Sequence, residues 1–547
     1  MSDTREHAHI PVLKKQLCEG KIDRREFVRY STLLGLSATA AYAFAGKVTG
    51  ESFVQPARAQ SMPMGGNIRI AMRVVEVTNP HAFSWVYDSN VTRQVAEYLT
   101  ITGYDNVTRP SLLEGWEASD DLKTWTLKVR PGVNWHSGRP FVAQDVVANI
   151  EHMLNPESGS SVIGLMKGYM LNDEGTEIWD ANAIEVVDDA TVRLNLKVPQ
   201  VAIPEHLFHY PAGMLDPDEG FVFGIGSNGT GAFDLVEHEV GVKSVLKARK
   251  DYWGDGPYID TLTYIDLGDD PSAVIGAVAS KQVDGIYEGD ISQLDIFKAI
   301  PNVDLYSANT AQTAVARVQV DRPEFSDPRV RKAMRLAIDS PSILEIGHRG
   351  LGAPGEHHHV APVHPDYYPL PPMKRDVAAA KALLAEAGYP DGVEFSIATK
   401  KDPAWEINSV QALVEQWKEA GIKVNIDVLP SAQFWDVWDK VPFGYTSWTH
   451  RPLGFMVLSL AYRSGVPWNE SHYNNPEFDE ILTKAEGTLD LEQRKELLKQ
   501  LEEIMQEDGP MVQPIWRAVF SVMDKKVKGF HKHPTNYIFG NELAIEG

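Results

Sequence analysis

The segment GYTSWTHRPLG, residues 444–454, places two aromatic rings beside a histidine and an arginine and contains no acidic residue. Arg451 carries a planar guanidinium whose N–H groups match a carboxylate or a phosphate. Trp448 and Tyr445 offer apolar surface on which a ligand can stack. These residue types indicate a place for an anionic or neutral polar group, in a chain whose formal net charge is -23.

Two other motifs have the residue types of a cofactor or metal site. Gly224 to Gly229 match G-x-G-x-x-G, but the following TGAFDLVEHEV alternates like a strand, whereas a dinucleotide site requires a helix there. A run of histidines, residues 357–359, follows Glu356, and imidazoles are common metal ligands. Neighbours on an extended loop point different ways, so only His357 and His359 are weak metal candidates, and a solvated loop is the simpler interpretation. We expect no cofactor.

No catalytic motif accompanies them. The sequence contains no H-E-x-x-H, Walker lysine motif or G-x-S-x-G elbow, and we therefore expect no enzyme. The acidic surface repels phosphate backbones, which argues against nucleic-acid or anionic-membrane partners. The single Cys18 precedes the N-terminal apolar run, so disulfides and thiolate metal sites are excluded after it.

The N-terminus is typical of an export signal. Arg24-Arg25-Glu26-Phe27 precedes a charge-free run from Tyr30 to Gly46, whose seventeen residues at about 1.5 Å each fall short of a bilayer core of about 30 Å. Ala57-Arg58-Ala59 fits a signal peptidase that cleaves before Gln60. We predict a twin-arginine-type signal peptide over residues 1–59, a periplasmic mature chain and no membrane insertion after cleavage. An uncleaved membrane anchor is the rival interpretation.

The elements that must position these residues alternate between strand and helix. Strand patterns occur in NIRIAM, in residues 184–198, in VEFSIAT and in KVNIDVLP. VTNPHAFSWVYDSN is predicted to be a loop, and GAFDLVEHEVGVKSVLKARKDYW a hairpin that turns near Val240-Gly241. Helical patterns occur in DPRVRKAMRLAID, AAAKALLAEAGY, SVQALVEQWKEAG and LEQRKELLKQLEEIMQEDG. At 547 residues the chain has room for two or three α/β domains.

Five blocks of sequence, in order, resemble the family 5 extracellular solute-binding proteins, the peptide- and nickel-binding receptors of ABC importers. They are DLKTWTLKVRPGVNWHSGRPFVAQDVVANIEHML, GTGAFDLVEHEVGVKSVLKARKDYWGDGPYIDTLTY, FSDPRVRKAMRLAID, AAAKALLAEAGYPDG and QALVEQWKEAGIKVNIDV. The resemblance implies an α/β, class II periplasmic-binding-protein fold with three domains, in which two lobes close over a ligand at a hinge. Domain I would comprise residues 60–105, 232–312 and 512–547, domain II residues 106–231, and domain III residues 313–511.

The resemblance also implies two ligand-contacting segments. The first is the loop after the opening strand, here Ser84-Trp85-Val86-Tyr87. The second is a W-x-x-D element, whose aspartate pairs with the α-ammonium of a peptide. Here it corresponds to Trp448-Thr449-His450-Arg451, so the acid has become a cation. Because an arginine repels an ammonium in a dry cleft, an ordinary free-amino peptide is disfavoured unless another acid replaces the missing one.

The predicted function is a periplasmic receptor of an ABC importer that captures a small peptide-like, polar or anionic solute, acts as a monomer and delivers the solute to a permease and ATPase complex. Two alternatives stay open: a metal-dependent hydrolase using the histidines of residues 357–359, and a sensory or chaperone-like module on the same fold. A third possibility is that Arg451 only neutralises an acid on a surface loop.

Overall fold

Helices and strands alternate along the chain in the computed structural model, which describes residues 6–49, 62–268, 270–401 and 403–547. The predicted cleavage point between Ala59 and Gln60 lies outside the described residues.

The α-helices of the described chain are α1 Ile10–Cys18, α2 Arg24–Leu33, α3 Ala38–Thr49, α4 Val86–Thr92, α5 Ala143–Leu154, α6 Val162–Met170, α7 Ile203–His206, α8 Pro271–Ala279, α9 Leu294–Lys298, α10 Pro328–Leu336, α11 Ser340–His348, α12 Val377–Glu386, α13 Ala404–Glu419, α14 Ser431–Val437, α15 Gly454–Ala461, α16 Pro476–Glu486 and α17 Leu491–Asp508. Short 3-10 helices span Pro80–Ala82, Pro156–Ser158, Pro217–Glu219, Ile291–Gln293 and Gly540–Glu542.

The strands are β1 Asn67–Ala71, β2 Thr100–Thr102, β3 Thr108–Pro110, β4 Leu113–Ala118, β5 Thr124–Val129, β6 Ile184–Asp188, β7 Thr191–Asn195, β8 Phe233–Glu239, β9 Lys243–Ala248, β10 Thr261–Ile265, β11 Gly285–Ile286, β12 Val303–Val318, β13 Gly352–Pro354, β14 Val393–Lys400, β15 Ile422–Leu429, β16 Phe443–Trp448, β17 Met511–Val512, β18 Ile515–Asp524, β19 Val527–Lys528 and β20 Ala544–Ile545.

The four helices predicted from apolar spacing are confirmed as α10, α12, α13 and α17. Asp327 caps α10 by accepting a hydrogen bond from the Arg329 amide, and Pro328 occupies the first helical position. Gly421 follows the end of α13 with a φ of 81°, as the predicted cap requires. The strand after Gly229 is confirmed as β8, which leaves the glycine motif without the helix that a dinucleotide needs.

Two local predictions are wrong. Residues 184–198 were expected to form one strand, but β6 and β7 pair antiparallel as a hairpin whose turn lies between Asp188 and Thr191. The segment VTNPHAFSWVYDSN was expected to be a loop, but α4 begins at Val86. Trp85 is the residue before this helix, in an extended conformation, so its side chain leaves the chain where a loop becomes a helix.

A mixed sheet of twelve described strands joins the two halves of the molecule. Ten of its strands follow the order β15-β14-β16-β12-β18-β11-β1-β10-β9-β8. In addition, β13 pairs with β18, and β17 pairs with β12. The long central strand β12 pairs with β18 over Val303–Gln312 and then with β16 over Thr313–Val318. Both halves of the sheet therefore meet at β12 and β18.

A separate antiparallel sheet, β4-β5-β7-β6, lies within residues 106–231. It is the region that the resemblance assigns to domain II. The limits of the three domains stay a prediction.

The N-terminal helices α1 to α3 pack against the rest of the chain. The Trp116 indole donates to the Leu33 carbonyl at 2.9 Å, and Arg29 Nε donates to the Asn106 carbonyl at 3.1 Å. Every residue of α2 from Phe27 to Leu33 is buried, which explains why its apolar residues form a block and not a stripe. Among the described helices, none combines the length and the apolar character needed to span a membrane.

Candidate functional site

The end of strand β16 holds Trp448 in a fixed orientation. Trp448 pairs in register with Thr313 of β12 and is 5% exposed. Its indole Nε1 donates to Glu470 Oε1 at 3.0 Å, and Thr446 Oγ1 donates to Glu470 Oε2 at 2.6 Å. Glu470 also forms an ion pair with the fully buried Arg317. A buried carboxylate with three partners therefore fixes the ring of Trp448.

Five indole rings, which we call the tryptophan wall, form a continuous series that includes Trp448: Trp85, Trp435, Trp438, Trp448 and Trp468. Adjacent ring centroids lie 4.6 Å (Trp85 to Trp435), 6.0 Å (Trp435 to Trp438), 6.4 Å (Trp438 to Trp448) and 5.9 Å (Trp448 to Trp468) apart. The short helix α14 supplies Trp435, and Trp438 follows its last residue. The wall offers a wide apolar surface suited to the flat or apolar part of a ligand.

Arg451 is 4% exposed at the edge of this wall. Its Nη1 donates to Thr449 Oγ1 and, at 3.1 Å, to the His450 carbonyl, and its guanidinium carbon lies 5.4 Å from the Tyr210 ring centroid. Within the described ranges its Nε has no acceptor, and the ion pairs found there include none to Arg451. The alternative that Arg451 neutralises an acid on a surface loop is therefore not supported, because no such acid pairs with it in the described part of the chain.

Tyr210 connects the two predicted ligand-contacting segments. Its ring lies under Arg451, and its hydroxyl donates to the Ser84 carbonyl at 3.0 Å. The segment of Ser84 and the segment of Trp448 thus face each other across a narrow gap.

A cavity of about 260 Å³ continues from the tryptophan wall toward β12 and β18. Its lining residues are Arg73, Trp85, Tyr87, Tyr287, Glu288, Gly289, Asp290, Gln312, Thr313, Lys400, Pro403, Trp405, Glu406, Ser431, Trp435, Ser447, Trp448, Thr449, Arg517 and Asn536. We call this cavity the cleft. It combines aromatic walls with a few charged groups, as small-molecule sites commonly do.

Lys400 and Glu406 form a buried ion pair in the cleft wall. Burial lowers the pKa of Lys400 and raises the pKa of Glu406, while the attraction between the two groups opposes both shifts. The Lys400 ammonium lies 4.8 Å from the Trp435 ring centroid, so the pair also supports the tryptophan wall.

The structure brings most, but not all, of the predicted site residues together. Ser84, Trp85, Tyr87, Trp448, Thr449 and Arg451 line the cleft or the narrow gap beside it. Val86, Tyr445 and His450 line neither of these two spaces.

Each of these three side chains has another role. Val86 lies in the core at the start of α4, and Tyr445 is fully buried in the core beside β12. The expected stacking surface of Tyr445 is therefore not available. His450 Nδ1 accepts from the Ala311 amide at 3.0 Å, and its Nε2 lies 3.1 Å from Asn106 Oδ1.

The expectation that residues 357–359 form a solvated loop is wrong. His357 Nδ1 accepts from the Gln513 amide at 3.0 Å, and His359 Nδ1 lies 2.9 Å from the Tyr462 hydroxyl. Burial lowers the pKa of His357 to about 3 and that of His359 well below its ordinary value. No group of three or more metal-ligating side chains occurs in the described ranges.

Sequence reasoning missed Trp435, Trp438, Trp468 and Tyr210. The spacing W-x-x-W in QFWDVWDK is a usable signal, because residues three apart lie on one face of a helix. Trp468 and Tyr210 carry no such signal, since only the tertiary fold brings them to Arg451.

Two halves joined by paired central strands, with an aromatic cleft between them, define a protein that binds a small solute. The family model described as "Bacterial extracellular solute-binding proteins, family 5 Middle" matches residues 108–465. The chain belongs to this family and is a substrate-binding receptor of an ABC importer.

Curated relatives match most of the chain. It is 25% identical over 481 residues to the heme-binding protein A of Haemophilus influenzae, covering 80% of this chain and 84% of that protein. It is 24% identical over 477 residues to the glutathione-binding protein GsiB of Pectobacterium atrosepticum, covering 82% and 89%.

Solved structures confirm the predicted fold. The DppA periplasmic binding protein of Helicobacter pylori in complex with the peptide STSA has a TM-score of 0.77 at 20% identity, covering 89% of this chain and 99% of that one. The binding protein AgaA of A. tumefaciens R10 in complex with agropinic acid has a TM-score of 0.78 at 23% identity, covering 88% and 99%.

Proposed function

We propose that this receptor captures a small solute that carries an anionic group, and that the anionic group binds Arg451. The apolar part of the solute packs against the tryptophan wall. Closure of the two lobes then creates the shape that the permease and ATPase complex recognises. The receptor performs no chemistry on the solute.

The observation that carries this proposal is the environment of Arg451. Its guanidinium is buried, and the part of the chain that the structure describes supplies neither an acceptor for its Nε nor a carboxylate that pairs with it. A buried cation without a counter-ion is unfavourable, and an anion bound in the narrow gap beside the cleft removes that cost. Glutathione, heme and agropinic acid, which the names of the relatives mention, all carry carboxylates.

The solute released from the purified protein tests the proposal. Denaturation followed by mass spectrometry should identify a compound with at least one carboxylate or phosphate, in about one equivalent per chain. A co-purified solute whose only charged group is cationic would refute the role of Arg451.

Lobe closure has its own measurement. Small-angle scattering should give a smaller radius of gyration after the released solute is added back to protein stripped of it. Identical curves for the stripped and saturated protein contradict closure.

The rival functions make different demands. A hydrolase using His357 and His359 requires stoichiometric metal in the purified protein, although the Nδ1 atoms of both residues already hold hydrogen bonds. A sensory or chaperone-like module predicts no permease and ATPase genes beside the gene of this protein.

Export by the twin-arginine route to the periplasm, followed by cleavage before Gln60, is the accompanying proposal. The Arg24-Arg25 pair before the charge-free run supports it. Intact-mass measurement of periplasmic protein checks the cleavage point, and an Arg24→Lys, Arg25→Lys double variant should not be exported. We expect a monomer in solution, which light scattering of the same sample measures.

A further inference from the structure

A charged pair next to the central strands β12 and β18 lines the floor of the cleft. Arg517 on β18 donates from Nε and Nη2 to Gln312 Oε1 on β12, at 3.1 and 3.0 Å. Arg517 also pairs with Glu288. Burial lowers the pKa of Arg517 to about 9, which leaves the group charged at neutral pH. The strand β18 and the segment that follows β11 thus present one cation and one anion side by side.

Two further polar side chains extend this pair on either side. Asn536 Nδ2 donates to Glu288 Oε2 at 2.7 Å, whereas Asn536 Oδ1 has no donor among the described residues. The Trp405 ring centroid lies 4.7 Å from the Arg517 guanidinium, and Trp405 Nε1 has no acceptor in the same part of the chain. Asn536 is 4% exposed and Trp405 is 2% exposed, and all four residues line the cleft.

The unpartnered atoms have complementary demands. On one side, Trp405 Nε1 lacks a hydrogen-bond acceptor among the described residues and lies beside the Arg517 cation, a combination suited to an anion. On the other side, Asn536 Oδ1 lacks a donor in the same part of the chain and its amide nitrogen is bonded to the Glu288 carboxylate, a combination suited to a cationic donor. Buried polar atoms of native proteins are nearly always paired, so a donor and an acceptor that both lack a partner among the described residues of one cavity indicate a site for a ligand with both functions.

We propose that Arg517, Trp405, Glu288 and Asn536, together the head-group site, bind the free α-ammonium and α-carboxylate of an amino-acid derivative. The carboxylate accepts from Arg517 and Trp405 Nε1, and the ammonium donates to Glu288 and Asn536 Oδ1. This rests on the proposed function and names the solute class: an amino acid substituted on its side chain, with a second anionic group that reaches Arg451. The amino end of an ordinary peptide fits less well, because a neutral amide replaces the α-carboxylate.

Three matched compounds probe the head-group site by titration calorimetry with the full chain stripped of solute. γ-Glutamylphenylalanine carries the complete amino-acid head, a phenyl ring for the tryptophan wall and a distal carboxylate for Arg451. Glutarylphenylalanine lacks only the α-ammonium, and γ-aminobutyrylphenylalanine lacks only the α-carboxylate. We expect the first compound to bind at least tenfold more tightly than either of the others.

Two variants should divide the three compounds in opposite ways. Trp405→Phe removes the indole donor and keeps a ring, so it should weaken binding of the two compounds with an α-carboxylate at least fivefold and leave γ-aminobutyrylphenylalanine unaffected. Glu288→Gln removes the negative charge, so it should weaken the two compounds with an ammonium and leave glutarylphenylalanine unaffected. Trp179→Phe, on a partly exposed loop outside the cleft, is the matched control and should change none of the affinities.

If both variants lose affinity equally for all three compounds, the two residues have a structural role and the proposal is wrong. The proposal is also wrong if the wild-type protein binds none of the compounds. Either result leaves the proposed function standing, since that function depends on the co-purified solute and Arg451. Conversely, the crossed pattern of Trp405→Phe and Glu288→Gln together with a normal affinity of Arg451→Ala supports the head-group site and refutes the anion site at Arg451.

Discussion

Replacing Arg451 with alanine should weaken binding of the co-purified solute far more than it destabilises the protein. In the free protein the substitution removes hydrogen bonds to Thr449 and the His450 carbonyl and the contact with Tyr210. These losses amount to about 2–3 kcal/mol. The substitution also removes the unpaired buried Nε–H, which offsets about 1–3 kcal/mol of them. The free energy of unfolding should therefore fall by no more than about 2 kcal/mol.

The substitution costs the solute-bound protein more free energy than it costs the free protein. An anion that accepts from Nε and Nη2 of Arg451 makes two charge-assisted hydrogen bonds, worth about 1.5–3 kcal/mol each. A net loss of about 3–4 kcal/mol corresponds to a 100- to 1000-fold weaker affinity, at about 1.4 kcal/mol per tenfold. Titration calorimetry with the identified solute measures the affinity, and urea unfolding of the same samples measures the stability. Arg193→Ala, on β7 outside the cleft, is the matched control. An Arg451→Ala variant within about twofold of wild type, near 0.4 kcal/mol, would refute the anion site.

Three further substitutions test how the site is held and how the fold responds to pH. Trp448→Ala should weaken binding of the charged solute and of its neutral ester by the same factor, because it removes apolar contact; a loss confined to the charged form contradicts this. Glu470→Ala should lower the free energy of unfolding by about 3–5 kcal/mol, because it leaves Arg317 buried without its carboxylate; the exposed Glu480→Ala is the control for urea unfolding. Burial and the neighbouring Glu356 and Asp366 raise the pKa of Glu502 to about 9, so the folded state holds one proton more than the unfolded state between about pH 4.5 and 9. The free energy of unfolding should fall as pH rises through this window, by up to about 1.4 kcal/mol per pH unit, and Glu502→Gln should make this pH dependence weaker. Equal pH dependence of stability in wild type and Glu502→Gln would exclude the raised pKa.

The residues that the sequence could identify are those whose role depends on local spacing. Apolar periodicity and cap residues predicted α10, α12, α13 and α17, because such helices are defined within their own segments. Trp448 and Arg451 were proposed as ligand contacts from the family's W-x-x-D element, and that role stays a prediction. Tyr445 was misplaced because the face of a strand that meets the core depends on its neighbours, here β12.

The remaining features depend on contacts between distant segments. Glu470 orients Trp448 from 22 residues away, and no pattern in the sequence links the two. The sequence of residues 357–359 indicates a polar, solvated loop, but Gln513 and Tyr462 form hydrogen bonds with two of the histidine ring nitrogens inside the fold. A buried polar residue is recognisable only when its partners are known, and those partners lie up to 156 residues away.

The acids of the cleft explain how a receptor with Arg451 in place of an aspartate can still accept an ammonium group. Glu406 is paired with Lys400, and Asp290 accepts from the Ala404 amide at the start of α13. Glu288 is the acid that borders an unpartnered acceptor, Asn536 Oδ1, and a cation. If both proposals hold, the ammonium lies at the floor of the cleft beside Glu288, and the distal anion lies at the tryptophan wall beside Arg451. The solute then binds with its ammonium and its anion in the opposite order to a peptide whose ammonium meets the acid of W-x-x-D. The residue at position 451 therefore selects the class of solute by setting the orientation in which the solute binds.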